Sequence, residues 1–217
     1  GEAAAGAGIS LTVDAEESER LELWFDIVST VLQSPVTLHW PGLGIAAQAY
    51  QKRTPQLIDM MGDQCRMHGR QMMIRLVKGA YWDSEIKRSQ MSGQPDYPVY
   101  TRKVSTDVSY MACARRLLAH NERIFAAFGS HNAFTLASIL AIAKPAHRFE
   151  FQRLQGMGIE LHDQVVAMGR QSRIYAPVGT HQYLLAYLVR RILENGANSS
   201  FVHKLRDDDV RHVVVDL

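Results

Sequence analysis

Six short segments rich in Ile, Val, Leu, Phe or Met recur along the chain, at residues 8–13, 44–49, 71–77, 123–129, 147–151 and 172–175, and each reads as a buried strand. Between them lie longer stretches whose apolar residues fall at helical spacing. Leu21, Trp24, Phe25, Val28 and Leu32 form one such set, Leu57, Met60, Met61 and Cys65 another, and Leu184, Leu188, Ile192 and Leu193 a third. Strand and helix alternate throughout, and that alternation demands parallel strands joined by crossover helices. The class is therefore α/β, either an open doubly wound sheet or a closed barrel.

In both folds chemistry collects at the carboxyl ends of the strands, so the residues found there separate the two. The first segment ends in Asp14 and the second in Gln48 and Gln51. The third contains Arg75 and ends in Lys78 and Gly79, and the fourth ends in Ser130, His131 and Asn132. The fifth carries Gln152 and Gln155, the sixth Tyr175. Polar groups from every strand end on one rim favour a barrel over a sheet with a single crevice. No Gly-x-Gly-x-x-Gly follows any strand, which removes the main support for a dinucleotide-binding open sheet. A closed (β/α)8 barrel typically takes eight strands and about 250 residues. The 217 residues here show six strands, so the chain is expected to supply about six βα units of a distorted barrel. A second polypeptide or further segment is expected to complete it, since an open arc leaves two unpaired edges. Residues 1–7 read as a linker or junction, 8–205 as the barrel and 206–217 as a C-terminal tail.

Composition narrows the function. With 47% hydrophobic and 21% charged residues the chain has the makings of a buried core and is neither disordered nor a coiled coil. A formal charge of +2, with Lys and Arg spread among Asp and Glu, implies no nucleic-acid partner. The most apolar stretch, 133–143, is about half of the roughly 20 residues that a spanning helix needs, so no transmembrane segment is expected. Cys65 and Cys113 have no metal-type spacing and read as packing residues in a reducing cytosol. Neither His-x-His nor His-Glu-x-x-His occurs, so no metal site is expected, and without Gly-x-Ser-x-Gly nucleophilic catalysis lacks its usual frame. A redox or carboxylate-binding barrel remains.

Two sets of residues suit that chemistry. On the last helix Tyr183, Tyr187, Arg190 and Glu194 share a stripe and Arg191 stands one step round. Two guanidinium forks favour a planar carboxylate, although spacing alone favours a surface pair held by Glu194. Arg75 places a cation inside an apolar strand and needs a partner, either a scaffold carboxylate or the electron-rich edge of a cofactor. Gly79 would allow close backbone approach there, and Trp82 would offer a stacking face. Ser130, His131 and Asn132 in a row suit a polar heterocycle, although a lone His is more often structural.

Several longer motifs add to this: Val13-Asp14-Ala15-Glu16-Glu17, Gln48-Ala49-Tyr50-Gln51-Lys52-Arg53, Arg75-Leu76-Val77-Lys78-Gly79-Ala80-Tyr81-Trp82-Asp83, Tyr97-Pro98-Val99-Tyr100-Thr101-Arg102-Lys103 and Tyr187-Leu188-Val189-Arg190-Arg191-Ile192-Leu193-Glu194-Asn195-Gly196. From about residue 8 to 202 they resemble the proline dehydrogenase family, and within it the domain carried by bacterial bifunctional proline utilisation flavoenzymes. The resemblance implies a distorted (β/α)8 barrel, of which strands 3 to 8 are present. It further implies non-covalent FAD, hydride transfer from L-proline to flavin N5 to give 1-pyrroline-5-carboxylate, and a quinone as electron acceptor. A catalytically impaired scaffold that binds flavin and carboxylate is the alternative.

By likeness, Arg190 and Arg191 clamp the substrate carboxylate, Tyr81, Leu154 and Tyr175 shape the pocket, and Asp14 supports Tyr175. Arg75 goes to the N5 region, so that Asp14, Arg75 and Tyr175 make the catalytic set. Gln48 goes to the polar edge of the isoalloxazine, and Val77, Lys78, Gly79, Ala80 and Trp82 to the dinucleotide. Thr101, Arg102 and Lys103 go to the phosphates and adenosine, Ser130, His131 and Asn132 to the flavin, and Glu194 to the ribose or adenine end. The likeness also implies a bacterial cytoplasmic protein, peripheral to the inner membrane in its full-length form, and a complementary segment carrying barrel strands 1 and 2.

Overall fold

A computed structural model describes the backbone of residues 1–198 and, with a few exceptions, the side chains through Arg191. The side chain of Glu194 and the tail expected at 206–217 lie outside the described residues. Six strands form one sheet in simple sequential order: β1 (Leu11–Val13), β2 (Leu43–Gln48), β3 (Met72–Val77), β4 (Ile124–Gly129), β5 (Phe149–Leu154) and β6 (Gln171–Tyr175). Every pairing is parallel. The chain also forms the helices α1 (Glu2–Gly6), α2 (Leu21–Gln33), α3 (Thr54–Met67), α4 (Trp82–Met91), α5 (Lys103–Ala119), α6 (Ala133–Ile142), α7 (Ile159–Ala167) and α8 (His181–Asn198). The sheet curls into a half-barrel, and its strictly sequential strand order is that of a barrel and not of a doubly wound sheet.

Register assigns each strand an inner and an outer face. Ala46 pairs with Arg75, Arg75 with Ala127, Ala127 with Glu150, and Glu150 with Gln171, so these residues form one row across the inside of the arc. The alternate row, Ile45, Ile74, Ala126 and Phe149, turns outward into the main hydrophobic cluster with Ile58, Met61, Leu117 and Cys113 of the covering helices. Phe128, Phe149 and Phe151 add edge contacts there, with the rings of Phe149 and Phe151 5.5 Å apart at 88°. Fully burying one such side chain contributes about 1.5–3 kcal/mol, so the layer between sheet and helices carries most of the stability. Cys65 and Cys113 belong to this layer as buried free thiols, and burial pushes both up to about 11, which leaves them protonated and inert.

Strand boundaries shift by one to three residues from the sequence reading; β1, expected from residue 8, begins at Leu11. The fifth strand starts at Phe149 and continues to Leu154, because Phe149 and Phe151 fill the outer face while Glu150 and Gln152 hydrogen-bond to each other on the inner one. Polar residues that would end a strand at a surface thus extend it inside a barrel. The stretch 1–7, expected as a junction, contains the one-turn helix α1, whose Ala4 and Ala5 pack against the core.

The turn after β3 is fixed by a close approach. Gly79 has φ 139°, and a Cβ there would lie 2.3 Å from the ring of Tyr50, which covers the turn. Replacing Gly79 by Ala is expected to destabilise the fold by roughly 2 kcal/mol or more, through backbone strain and displacement of Tyr50. Urea denaturation of Gly79→Ala beside the parent protein measures this, and equal stability would show that the turn relaxes freely.

Candidate active site

The carboxyl ends of the strands bring one electrostatic unit together. Arg75 projects from the inner face of β3 with its side chain 19% exposed, and its guanidinium pairs with the carboxylate of Asp14, just past β1. Of the two partners open to Arg75 from the sequence, the scaffold carboxylate is thus present. The guanidinium carbon also lies 5.7 Å from the centre of the Tyr175 ring at the end of β6. The three residues expected as a catalytic set therefore form one cluster, with Arg75 between the acid and the phenol.

A second cluster faces it from the turn before α4 and from α8. The Tyr81 hydroxyl stands 3.4 Å from Oε2 of Glu16, and the guanidinium of Arg190 lies 5.6 Å from the Tyr81 ring centre. Burial, and secondarily the charge of Glu16, raises the Tyr81 phenol above its ordinary range, while the two arginines oppose that shift. Nε of Arg190 is buried without a hydrogen-bond partner, and Arg191 stacks 5.2 Å from the ring centre of Tyr187 on its own helix. Both arginines are half-buried, and Glu194, which in the other reading holds them at the surface, has its side chain outside the described residues. Leu154 is buried at the end of β5, and its register partner is Tyr175.

The residues expected at the cofactor are on the same rim, and most already hold protein partners. Gln48 is buried, its amide donating to the Glu16 carbonyl at 2.9 Å and accepting from Ala80 N–H at 3.1 Å, so it braces two loops. Lys78 is ion-paired with Asp107. Trp82 donates from Nε1 to the carbonyl of Tyr100 at 2.9 Å, tying α4 to the segment that carries Thr101, Arg102 and Lys103. Those three are exposed at the start of α5, whose first turn has no side-chain cap. Asn132 caps α6 by accepting from Thr135 N–H at 3.0 Å, His131 Nε2 accepts from Leu154 N–H at 3.0 Å, and Ser130 Oγ accepts from Asn132 N–H at 3.2 Å. Val77 ends β3 on its inner face, in register with Gln48.

Two buried residues, Glu150 near the start of β5 and His162, were not singled out from the sequence. Glu150 is buried on the inner face and receives a two-pronged pair from Arg173, at 2.7 and 2.9 Å, besides the Gln152 amide at 2.7 Å. The alternation Phe149-Glu150-Phe151-Gln152 carried that signal, since it sets both polar groups on one face of a strand. His162 of α7 is also buried. Its Nε2 donates to the carbonyl of Ser130 at 3.0 Å, because a carbonyl only accepts, and its Nδ1 then accepts from Ser172 Oγ at 2.7 Å. Nothing in the sequence joins these three positions. Among the described residues no group of His, Cys, Asp and Glu could hold a metal ion, and no helix is long and apolar enough to cross a membrane.

The family model for proline dehydrogenase matches residues 1–204. The chain belongs to the proline dehydrogenase family. It is 53% identical to the bifunctional protein PutA of Klebsiella aerogenes over 209 residues, covering 92% of this chain and 16% of that protein. With proline dehydrogenase 1 of Bacillus subtilis it shares 31% identity over 201 residues, 90% of this chain and 58% of the relative. A crystal structure of bifunctional proline utilization A matches with a TM-score of 0.88 and 52% identity, covering 96% of this chain and 22% of that one. The protein from Bdellovibrio bacteriovorus, inactivated by N-propargylglycine, matches with a TM-score of 0.86 at 34% identity. The proline dehydrogenase domain described here thus spans well under two thirds of these relatives, and its half-barrel is the distorted barrel-like fold of the family.

The His162 contact yields a pH prediction. Burial holds its imidazole below the ordinary value of 6.5, so below that pH the unfolded chain takes up a proton that the folded one refuses. This contribution to stability is present above pH 6.5 and is lost as pH falls through the lowered folded value. Urea denaturation of parent and His162→Gln at about pH 7.5 and 5.5 is expected to show a smaller acid-side loss in the variant. Equal losses would place the acid sensitivity elsewhere.

Proposed function

We propose that the domain oxidises L-proline to 1-pyrroline-5-carboxylate with FAD as cofactor and a quinone as the final acceptor. The observation that carries this reading is the buried, hydrogen-bond-free Nε of Arg190, held against Tyr81 on the rim that also carries Asp14, Arg75 and Tyr175. A buried guanidinium N–H without an acceptor is costly, and a small planar carboxylate would relieve it. Arg191, one step round the helix, adds a second fork. Tyr81, Tyr175 and Leu154 would supply the apolar surface against which the substrate ring is held.

The residues present fit a flavin dinucleotide. Arg75 offers a cation on the inner face, Trp82 a half-exposed aromatic face, and the uncapped start of α5, with Arg102 and Lys103, suits phosphate. When bound, the flavin supplies at N5 a two-electron acceptor for the hydride that leaves the ring carbon beside nitrogen. The nitrogen loses its proton in the same oxidation, which completes the imine. Arg75 favours negative charge at its end of the site, the arginines of α8 fix the carboxylate, and the tyrosines hold the ring in one orientation. A complementary segment would pair with the outer edges of β1 and β6, neither of which has a second neighbour among the described residues. The bifunctional relatives, of which this domain covers 16%, have ample chain to provide one.

Flavin absorbance and its bleaching by proline test the reading. Purified protein with its complement is expected to be yellow, or to become so with added FAD, and to bleach with L-proline. A colourless protein would sink the enzyme reading, and a yellow one that proline leaves unbleached would mark a binding scaffold. Arg191→Ala is expected to weaken proline binding by on the order of 2–5 kcal/mol, measured by titration, and unchanged affinity would return the pair to the surface. Arg75→Met is expected to lower flavin retention or its reduction potential while any remaining holoenzyme binds a non-oxidised carboxylate with little change.

A further inference from the structure

The loop between β1 and α2 carries Asp14 and Glu16, and it is held by a buried carboxylate. Glu85, on the first turn of α4, is 2% exposed. Its two oxygens accept hydrogen bonds from the backbone N–H and the hydroxyl of Ser18, each at 2.6 Å and across 67 residues of sequence. The Ser18 carbonyl in turn accepts from Arg53 at 2.9 Å, so every polar group of Ser18 is used. A carboxylate this deeply buried is costly unless both oxygens are satisfied, which makes the contact selective for one loop position.

The spacing along α4 gives the contact its consequence. Tyr81 is the N-terminal cap of this helix, and its carbonyl accepts from the N–H of Glu85 at 2.9 Å, one helical turn away. Glu16 and Ser18 stand two residues apart in the loop, where Glu17 is extended with φ −63° and ψ 155°. The loop is therefore registered against a single rigid element at two points, Glu16 on Tyr81 and Ser18 on Glu85. The Asp14 carbonyl, which accepts from Trp24 at 3.1 Å, fixes the near end of the same loop. We propose that Glu85 is a positioning residue for the proline-oxidising site: through Ser18 it sets the loop so that the carboxylates of Asp14 and Glu16 face Arg75 and Tyr81. This inference rests on the functional reading above. Glu85 touches neither substrate nor cofactor in this role and acts through the two acids alone.

The test uses the flavin-loaded enzyme that carries this domain, with cyclopentanecarboxylate as a non-oxidised probe of the carboxylate and ring pocket. Ser18→Ala, which leaves Glu85 in place with one of its two bonds, is expected to raise KM for proline and Kd for the probe by roughly tenfold. Glu85→Ala is expected to do so more strongly, and Glu85→Gln to recover part of the loss because an amide can still meet both groups of Ser18. The effect on affinity should shrink in a Glu16→Ala background to the part carried by Asp14, whereas the fall in melting temperature should be the same in both backgrounds. Ionisation of Tyr81, followed by NMR of ring-labelled tyrosine, should move towards its ordinary value in Ser18→Ala as Glu16 leaves. Variants that melt earlier but keep KM, Kd and the Tyr81 titration would reduce the contact to a structural one and overturn the proposal. Fully additive losses with Glu16→Ala would do the same. If Glu85→Ala does not fold, Ser18→Ala alone carries the test. A parent enzyme inert towards proline would overturn the functional reading and the positioning role with it, while the Tyr81 titration would still report whether the contact sets Glu16.

Discussion

A guanidinium on the inside of a curled parallel sheet cannot stand without a carboxylate, and the rest of the rim is arranged around meeting that demand. Arg75 sits in the middle of β3, in a row otherwise made of Ala46, Ala127, Glu150 and Gln171, where the small residues leave room for its side chain. Its counter-charge cannot come from a neighbouring strand position, because Ala46 and Ala127 flank it. It comes from Asp14, the residue just past β1, so the loop that begins there must be held in place. Gln48, Trp24, Arg53 and Glu85 each hold that loop at a different backbone or side-chain atom. The ion pair and the loop therefore stand or fall together.

The same division between inner and outer rows separates stability from chemistry. Outward residues of the strands pack with α3 and α5 into an apolar layer that tolerates few polar atoms. Inward residues form a second layer in which charges occur in pairs: Arg75 with Asp14, and Arg173 with Glu150. A cation or acid in this layer is held in one place by its partner, which is what orientation of a small reactant requires. Buried His162 links the layers, since it is anchored to Ser130 at the end of β4 and to Ser172 in β6. Strand ends two positions apart in the sheet are thus fixed relative to each other without passing through β5.

Membership of the proline dehydrogenase family joins these observations to a reaction class. The matched span covers the paired acids and cations, the tyrosines and the arginines of α8 alike. The bifunctional relatives devote most of their length to other parts, so the half-barrel is one working piece of a larger machine in those proteins. Among the described residues β1 and β6 each have a single strand neighbour.

The sequence by itself determined the class. Six apolar segments alternating with helical stretches call for parallel strands joined by crossover helices, and the polar residues at every strand end favoured a barrel over an open sheet. It also placed the rim, because Asp14, Gln48, Arg75, Ser130 and Tyr175 each sit at or near the end of such a segment. The partnerships were beyond its reach. Arg75 had two possible partners until the β1 loop was seen to reach it, and the end of the fifth strand was misplaced because inner-face polar residues look like a surface turn. Glu85 and Ser18 lie 67 residues apart, and His162 bonds to Ser130 across 32. Local patterning follows from the period of a helix or a strand, but a contact between distant segments exists only once the sheet has curled and brought their ends onto one rim.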